Sequence, residues 1–356
     1  MSETLRYGII GTGMMGCEHI RSLALVPDVK VTAIADSDER SRSFGKLAAG
    51  DAVEVYADYR ELLSRAPVDA VVIATPNHTH AAVLDDLFQT RLHALVEKPL
   101  CTRVEDCLRV VEAAEKHPGL VWVGMEYRYM RPIARLVEEV RGGAVGRLRM
   151  IAIREHRFPF LPKVGDWNRF ARNTGGTLVE KCCHFFDLMH LVTGERPLRV
   201  YASGGQDVNH LDERYAGERP DILDNAFVIV DFDAGARGML DLCMFAENSR
   251  NELEVAATGD RGKAEALIPA HQLVLTRRDR DEPATIRFKV DRRVRETGSH
   301  HGSTWVEHMA FVQAVRTGGP PAVSAAEGAL AVGVGAAAEL SVRERRPVEL
   351  RELGFA

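Results

Sequence analysis

The chain has 356 residues, and its 46 lysines and arginines against 51 aspartates and glutamates leave a formal net charge of −5 at pH 7. This weak acidity disfavours nucleic acid or an anionic membrane as the main partner and favours a small neutral or weakly charged substrate. A chain longer than about 250–300 residues exceeds the size of one hydrophobic core, so two domains are expected.

The sequence shows no targeting signal and no metal motif. No segment reaches about 18 uninterrupted apolar residues, the length of a membrane span, and Met1–Arg6 lacks the charged and then apolar pattern of a signal peptide. The six cysteines form no Cys-x-x-Cys pair and no zinc spacing. We therefore expect a cytoplasmic protein without a structural metal or a disulfide framework.

The first third of the chain alternates strand patterns with helix patterns. This alternation predicts βαβ units with right-handed crossovers, which form a doubly wound parallel sheet with helices on both faces. The predicted strands are Leu5–Ile10, Val29–Ala35, Ala70–Ala74, Leu92–Val96 and Leu120–Val123. The predicted helices are Met14–Leu25, Glu39–Ala49, Ala81–Phe88 and Val104–Lys116.

After about Gly124 the pattern changes to consecutive strands joined by turn residues. Such runs predict a mostly antiparallel sheet. The predicted strands are Leu148–Arg154, Ala226–Phe232, Arg237–Phe245, Glu252–Thr258, Lys263–Ile268, Gln272–Thr276 and Ala284–Val290. The predicted helices are Ile133–Arg141, Leu178–Leu191, Val306–Arg316 and Ala325–Arg343. The polar stretch Asp207–Asp221 predicts a long loop, and loops of that length are usually functional or mobile.

A glycine pattern, Gly11-x-Gly13-x-x-Gly16, follows the first strand and begins the first helix. Gly11 permits the tight turn, Gly13 lets the backbone approach a pyrophosphate, and Gly16 lets helix and strand pack closely. The helix N-terminus, including Met14 and Met15, then offers N–H groups to the phosphates. The pattern predicts a Rossmann domain at residues 1–124 and a second domain at 125–356. An alternative that stays open is that the last helices of the chain pack back on the first domain.

Asp36 lies 20 residues beyond Gly16, at the end of the second predicted strand. A carboxylate there accepts hydrogen bonds from a ribose with a free 2′-hydroxyl and repels a 2′-phosphate. NAD is therefore favoured over NADP, although the nearby Arg40 could soften the preference.

Two further motifs follow the next strands: Thr75-Pro76-Asn77-His78-Thr79-His80, and Glu97-Lys98-Pro99. A third, Gly175–Asp187, combines a Gly-Gly helix start with a histidine at position 184. With the glycine pattern, their order and spacing make the whole chain resemble the Gfo/Idh/MocA family of oxidoreductases, which includes inositol dehydrogenases and glucose-fructose oxidoreductase.

The resemblance implies a two-domain NAD(P)-dependent oxidoreductase whose second domain is an open, mostly antiparallel sheet covered by helices. It implies that Glu97 approaches the nicotinamide ribose and that Lys98 is catalytic. It also implies a cis peptide bond before Pro99. The loop residues that it places at the cofactor are Thr75, Pro76, Asn77 and His80.

The resemblance further implies that His184 is the acid/base residue, with Glu180 where the family usually has an aspartate. The spacing puts Glu180, His184 and Asp187 on one helix face. His184 would exchange the hydroxyl proton, and Lys98 would stabilise a developing alkoxide. Glu180 could orient the histidine or bind a sugar hydroxyl, whereas Asp187 fits a structural partner better.

Other readings of these side chains stay open. Lys98 could be a solvated surface charge, His184 a structural histidine, and Glu180 or Lys181 a partly exposed helix residue. Cys182 and Cys183 fit small buried hydrophobes better than redox groups or metal ligands, and Ser299–Gly302 fits a surface loop better than a metal site. For Trp167, Arg172 and Asn173, which precede the helix, ordinary loop packing is the alternative to substrate binding. The candidate substrate-binding residues are Glu126, Arg128, Trp167, Arg172, Asn173, Glu180, Lys181 and His184.

The function predicted first is hydride transfer between NAD and a secondary alcohol of a cyclic polyol or sugar, of the inositol or pyranose type. The alternatives are an NAD-dependent glycosidase that oxidises transiently and eliminates, and a redox-silent dinucleotide-binding regulator. The resemblance also implies a homodimer or homotetramer, with the open face of the second sheet as the interface.

Overall fold

The structure is a computed structural model that describes residues 4–355. The chain forms two units. The first contains the residues up to Tyr129 together with Val290–Ala329, and the second contains Met130–Lys289 together with the residues from Leu330 onward.

The first unit is built on a six-stranded sheet in which every neighbouring pair is parallel. Its strand order, β3-β2-β1-β4-β5-β6, is that of a doubly wound dinucleotide-binding fold. The predicted parallel sheet is confirmed, and Glu54–Tyr56 is a short strand that the sequence analysis missed. The strands are β1 Leu5–Ile10, β2 Val29–Ala35, β3 Glu54–Tyr56, β4 Ala70–Ile73, β5 His93–Glu97 and β6 Val121–Gly124.

Five helices connect these strands, and the shortest was not predicted because its seven residues carry little periodicity. An aspartate caps the N-terminus of α2 and of α3. Asp38 and Asp58 each directly precede the helix, and the carboxylate of each accepts a backbone N–H of the first turn. The helices are α1 Met14–Leu23, α2 Glu39–Ala49, α3 Tyr59–Arg65, α4 His80–Leu87 and α5 Val104–Lys116.

The second unit is built on a nine-stranded sheet of order β14-β13-β12-β11-β7-β10-β9-β8-β15. Every neighbouring pair is antiparallel except β7 and β10. The predicted mostly antiparallel sheet is confirmed, and Pro197–Gly205 is a strand that the sequence analysis missed. The strands are β7 Leu148–His156, β8 Pro197–Gly205, β9 Asn225–Phe232, β10 Arg237–Cys243, β11 Leu253–Gly259, β12 Gly262–Ile268, β13 Gln272–Arg277, β14 Ala284–Arg287 and β15 Val348–Glu349.

The predicted helix Leu178–Leu191 is wrong as one continuous helix, because the structure breaks it at Lys181-Cys182. Lys181 lies at this break, and its side chain forms an ion pair with a carboxylate of strand β7. The helices of this part of the chain are α6 Arg131–Arg141, α7 Ala171–Thr174, α8 Thr177–Glu180 and α9 Cys183–Thr193.

Two later helices belong to the first unit, α10 Arg292–Arg295 and α11 Ser303–Thr317. Helix α11 buries Phe311 and Val312 in the same hydrophobic core as Tyr7 and Trp122. The C-terminal part of the chain therefore completes the core of the first unit.

The last helix, α12 Ala325–Glu344, is long and apolar enough by composition to cross a membrane. Most of it is buried inside the protein, including Ala331, Val332 and Ala338. Its composition is therefore explained by a position in the protein core.

Candidate active site

The glycine-rich turn after β1 has the backbone geometry that a dinucleotide needs. Gly11 has a φ of 90°, and a Cβ there would lie 2.6 Å from the carbonyl oxygen of Ala74. A Cβ on Gly16 would collide with the carbonyl oxygen of Gly11. A Cβ on Gly13, by contrast, would meet nothing within 4 Å. Gly11 and Gly16 are thus required by packing, whereas at Gly13 the protein leaves space open.

Helix α1 begins directly at this open space. Gly13 precedes the helix and provides no side-chain cap, so no side chain occupies this end of the helix, where the N–H groups of Met14 and Met15 lie. An exposed, partly positive helix N-terminus is a suitable partner for a pyrophosphate.

Asp36 ends β2 and binds the same turn. Its Oδ2 accepts the Thr12 N–H at 2.7 Å, and its Oδ1 accepts the Asp38 N–H at 2.9 Å. These contacts hold the carboxylate beside the glycine-rich turn, and each oxygen keeps acceptor capacity for a ribose hydroxyl.

The Thr75–His80 segment follows β4, whose neighbours in the sheet are β1 and β5. The ring nitrogens of buried His80 lie 2.9 Å from the carbonyl oxygen of Pro99 and 3.1 Å from that of Thr75. Burial lowers the pKa of His80, so the ring is neutral and donates to one of these carbonyls. His80 therefore joins the two motif loops. Its predicted cofactor contact stays a prediction.

Asn77 is buried beside them, and its amide nitrogen has no hydrogen-bond partner among residues 4–355. A buried donor of this kind usually has a partner. Together with the open space at Gly13, it fits an added ligand at this edge of the sheet. The residues that would hold NAD are Gly11, Gly13, Met14, Met15, Gly16, Asp36, Thr75, Pro76, Asn77, Glu97 and Lys98.

Glu97 and Lys98 lie at the carboxyl end of β5. The Lys98–Pro99 peptide bond is cis, as the resemblance implied. The backbone N–H of Lys98 donates to Glu97 Oε2 at 3.1 Å, and His19 lies 2.8 Å from Glu97 Oε1. These two contacts fix the orientation of the Glu97 carboxylate. The sequence analysis did not identify His19.

Glu126 and Arg128 follow β6 and are both buried. Burial raises the pKa of Glu126 to about 7, with Glu97 also raising it and His300 opposing. Arg128 donates to the carbonyl of Ala322 and pairs with Glu327 at 2.9 Å. These contacts give Arg128 a structural role, and the substrate contacts of both residues stay predictions.

The segment Ser299–Gly302 was expected to be a surface loop. Its His300 is hydrogen-bonded to the buried carboxylate of Glu18. Its Nδ1 lies 2.8 Å from Glu18 Oε1, and the Ser299 N–H and Thr304 hydroxyl donate to the same carboxylate. Burial opposes ionisation, but the bonds from His300, Thr304 and Ser299 lower the pKa of Glu18 to about 2. They fasten the loop to helix α1.

In the second unit, two glycines and Glu339 determine where α8 starts. Gly176 has a φ of 95°, and a Cβ there would collide with the Glu339 carboxylate. That carboxylate accepts the Leu178 N–H at 2.8 Å, and the Thr177 hydroxyl donates to Leu223. Gly176 is thus explained by the close approach of a carboxylate to the N-terminus of α8, whereas Gly175 has a φ of 82° and ends α7.

His184 is the second residue of α9 and is 2% exposed. Glu180, Lys181 and Asp187 are buried with it. The break between α8 and α9 means that the alignment of Glu180 with His184 does not follow from one continuous helix. The catalytic roles of His184 and Glu180 stay predictions.

Lys181 forms a buried ion pair with Glu155 of β7, with Nζ 2.8 Å from Oε1. Arg157 lies 3.3 Å from the same Oε1, and the Lys181 ammonium also lies 5.5 Å from the Phe185 ring centroid. Removing one member of a buried ion pair typically costs about 3–5 kcal/mol. Lys181 therefore has a structural partner, Glu155, that no sequence signal identified, and its substrate contact stays a prediction.

The residues before α8 join the loop predicted at Asp207–Asp221. Arg172 stacks over Phe170 at 4.1 Å and pairs with Glu218, and Arg169 pairs with Glu213 at 3.1 Å. The Asn173 amide donates to the Trp167 carbonyl at 2.9 Å. These contacts hold the loop against α7, and the substrate contacts of Trp167, Arg172 and Asn173 stay predictions.

The comparisons with known proteins cover almost the whole chain. The family model "Oxidoreductase family, NAD-binding Rossmann fold" matches residues 5–125, and its partner "Oxidoreductase family, C-terminal alpha/beta domain" matches residues 137–350. The chain belongs to the Gfo/Idh/MocA oxidoreductase family. Its first unit is an NAD-binding Rossmann fold, and the predicted NAD cofactor is confirmed.

Several members of the Gfo/Idh/MocA family resemble this chain over much of its length. Myo-inositol 2-dehydrogenase of Thermotoga maritima is 28% identical over 98% of this chain and 99% of its own. Inositol 2-dehydrogenase 2 of Saccharopolyspora erythraea is 31% identical over 65% of this chain and 64% of its own. A crystal structure of an oxidoreductase domain protein from Kribbella flavida shares the fold, with a TM-score of 0.87, 23% identity, and coverage of 98% and 100%.

Proposed function

We propose that this protein is an NAD-dependent dehydrogenase that oxidises a secondary alcohol of a cyclic polyol or sugar, of the inositol or pyranose type. The observation that carries the proposal is a match along nearly the full chain to a myo-inositol 2-dehydrogenase. The Glu97-Lys98-Pro99 motif at the end of β5 and the buried His184 at the start of α9 support it.

The roles of the side chains follow from what alcohol oxidation needs. NAD, when bound, supplies the acceptor for the hydride. His184 takes the hydroxyl proton, because imidazole changes its charge near neutral pH. The Lys98 ammonium stabilises negative charge that develops on the alcohol oxygen. Glu97, held by His19 and by the Lys98 backbone, accepts hydrogen bonds from the nicotinamide ribose.

A substrate panel tests the proposed reaction. Purified protein with NAD is given myo-inositol, other inositols, free pyranoses, glycosides and sugar acids, and NADH is followed by its absorbance. We expect stoichiometric NADH formation with at least one polyol or pyranose. Release of an aglycone without net NADH would instead indicate the glycosidase. NADH binding without turnover of any panel member would indicate the regulator.

The choice of cofactor is tested at Asp36. In Asp36→Asn one acceptor oxygen and the charge are lost, so the 2′-phosphate is no longer repelled. We expect the ratio of the Kd for NADPH to that for NADH, measured by nicotinamide fluorescence, to fall at least tenfold. The control is Asp58→Asn, in the exposed cap of α3, which should leave the ratio within twofold. An unchanged ratio in Asp36→Asn would contradict the assignment.

The second sheet exposes an apolar face that fits a second copy of this chain. Ile229 of β9 pairs with Tyr201 of β8 and with Met239 of β10, and all three side chains are at least 40% exposed. Phe227 adds a fourth, at 62%. A contiguous exposed apolar patch of this kind usually marks an interface. We propose that it forms a homodimer, or one interface of a homotetramer.

Substitution on this face tests the interface. Ile229→Asp places a charge at its centre, so we expect a monomer by light scattering after gel filtration. Phe44→Asp on α2, at an apolar residue of the first unit that is 51% exposed against 49% for Ile229, is the matched control and should leave the mass unchanged. A monomeric wild-type protein, or an Ile229→Asp variant with the wild-type mass, would contradict the proposal.

We propose a cytoplasmic location, because the protein acts on small polar metabolites with NAD. The buried position of most of α12 is compatible with this location. Fractionation of the source cells should recover the protein and its NADH-forming activity together in the cytosolic fraction.

A further inference from the structure

Three buried side chains form a hydrogen-bonded row behind the Glu97-Lys98-Pro99 motif. His308 Nε2 lies 2.9 Å from His19 Nδ1, and His19 Nε2 lies 2.8 Å from Glu97 Oε1. Both histidines are 0% exposed and Glu97 is 5% exposed. Helix α11, helix α1 and strand β5 each supply one member. All three elements belong to the first unit, and α1 is the helix that begins in the glycine-rich turn.

The hydrogen-bond partners determine where the protons lie. Burial lowers the pKa of His308 well below its usual value, so its ring is neutral and carries one N–H. His308 Nδ1 has no partner among residues 4–355, and a buried N–H rarely lacks an acceptor. The proton therefore lies on Nε2 and is donated to His19 Nδ1. His19 must then carry its own proton on Nε2, where it is donated to Glu97.

The hydrogen bonds of this row act on the ionisation and the orientation of the Glu97 carboxylate. Burial alone would raise the pKa of Glu97, but the hydrogen bond from His19 and the charge of Lys98 act against it, and the net shift is downward. Oε1 accepts from His19 and Oε2 accepts from the Lys98 backbone. Each oxygen keeps one further lone pair for a hydroxyl donor. The carboxylate is thus presented as a rigid acceptor.

The surroundings of the two histidines keep water away. The Tyr7 ring meets the His308 ring edge to face, with centroids 5.9 Å apart and an interplanar angle of 86°. Phe311 lies one turn further along α11, and it packs with Tyr7 and with the buried Trp122. In such a dry environment a hydrogen bond is electrostatically stronger than in water, and a missing one is costly.

We propose that His308 and His19 are positioning residues for cofactor binding: His308 fixes the tautomer of His19, and His19 holds the Glu97 carboxylate in the direction of the nicotinamide ribose. Both histidines are fully buried, so the proposed role is indirect. The inference rests on the proposed function, because the ribose contact of Glu97 comes from it.

The test compares two substitutions at His308. Glutamine can donate an N–H to His19, whereas methionine has similar bulk and cannot. We expect His308→Met to raise the Kd for NADH about tenfold and His308→Gln to stay within about threefold of the wild type. At saturating cofactor, kcat should change less than threefold in both. Equal affinity in His308→Met and the wild type, or equal loss in both variants, would overturn the inference.

The pH dependence of NADH binding supplies a readout that a packing defect would not change. The ionisable groups that act on Glu97 are His19, Lys98, His300, Glu126 and Glu307. The hydrogen bond from His19 lowers the pKa of Glu97, so the carboxylate keeps its charge to lower pH when that bond is fixed. As the pH falls, NADH binding should therefore begin to weaken at a higher pH in His308→Met than in the wild type. The same pH profile in both proteins would count against the inference.

A double substitution keeps the test valid if a single variant folds poorly. In His19→Gln the amide can donate to Glu97 without help from residue 308, so His19→Gln/His308→Met should bind NADH as His19→Gln does. An additional loss in the double variant would refute the proposed order of the row. Circular dichroism and thermal melting identify variants that do not fold. Failure of the wild type to bind NADH would instead overturn the proposed function itself.

Discussion

Replacing Lys98 by methionine is expected to lower kcat for alcohol oxidation by about 10²–10³-fold, the usual cost of removing one group that stabilises developing charge. The methionine keeps most of the volume and removes the ammonium. The backbone N–H that donates to Glu97 remains, so the cofactor acceptor stays in place. Because Lys98 is also a predicted cofactor contact, NADH affinity should fall, but by much less than kcat. Steady-state kinetics on the best substrate of the panel, with NADH titration, measures both quantities.

The matched control for Lys98 is Lys116→Met, which removes an exposed lysine at the end of α5. It should behave as the wild type in both assays. If Lys98→Met retained more than a tenth of the wild-type kcat, the assignment of the ammonium to the alcohol oxygen would be wrong. If NADH binding were lost together with kcat, Lys98 would be a binding residue and not a stabiliser of the reaction.

Replacing His184 by asparagine is expected to lower kcat by about 10²–10⁴-fold, the contribution usual for a general base. Histidine is the side chain that most readily changes charge between pH 5 and 8. The wild-type rate of oxidation should therefore rise with pH across this range, because the base must be unprotonated. In His184→Asn the residual rate should lose this dependence. A pH profile of kcat for both proteins measures the effect.

The control for His184 is His190→Asn on the same helix, where the ring bonds the Glu195 carbonyl. Its kcat should stay within about twofold of the wild type, with the same pH profile. A His184→Asn variant that kept the wild-type pH profile would show that another group takes the proton. Glu180, which is buried and lies four residues earlier in the chain, would then be the next candidate.

Local patterns were sufficient to predict most of the fold. Val29–Ala35 and Glu39–Ala49 were predicted with their observed bounds, because hydrophobic periodicity is a local signal. Glu54–Tyr56 was missed because three residues carry no measurable period. Pro197–Gly205 was missed because a proline and two glycines weaken the strand pattern.

The residues around the site were harder to predict because their partners are distant in sequence. His19 and His308 are separated by 289 positions, and no local pattern joins them. Lys181 was predicted as a candidate substrate-binding residue, yet its partner Glu155 lies on a strand with no matching signal. The break in the predicted helix at the same position is a tertiary effect that helix periodicity does not show.

The central claim is that hydride passes from a carbinol carbon of a polyol or sugar to nicotinamide. The most direct measurement uses myo-inositol deuterated at its ring carbons, or the best substrate of the panel labelled in the same way. After incubation with the protein and NAD, the reduced cofactor is isolated and its mass is determined. We expect one deuterium in each reduced cofactor molecule, and about 10²–10³-fold less reduced cofactor with Lys98→Met at matched times. Aglycone release or substrate loss with no deuterium in the cofactor would contradict the proposed function.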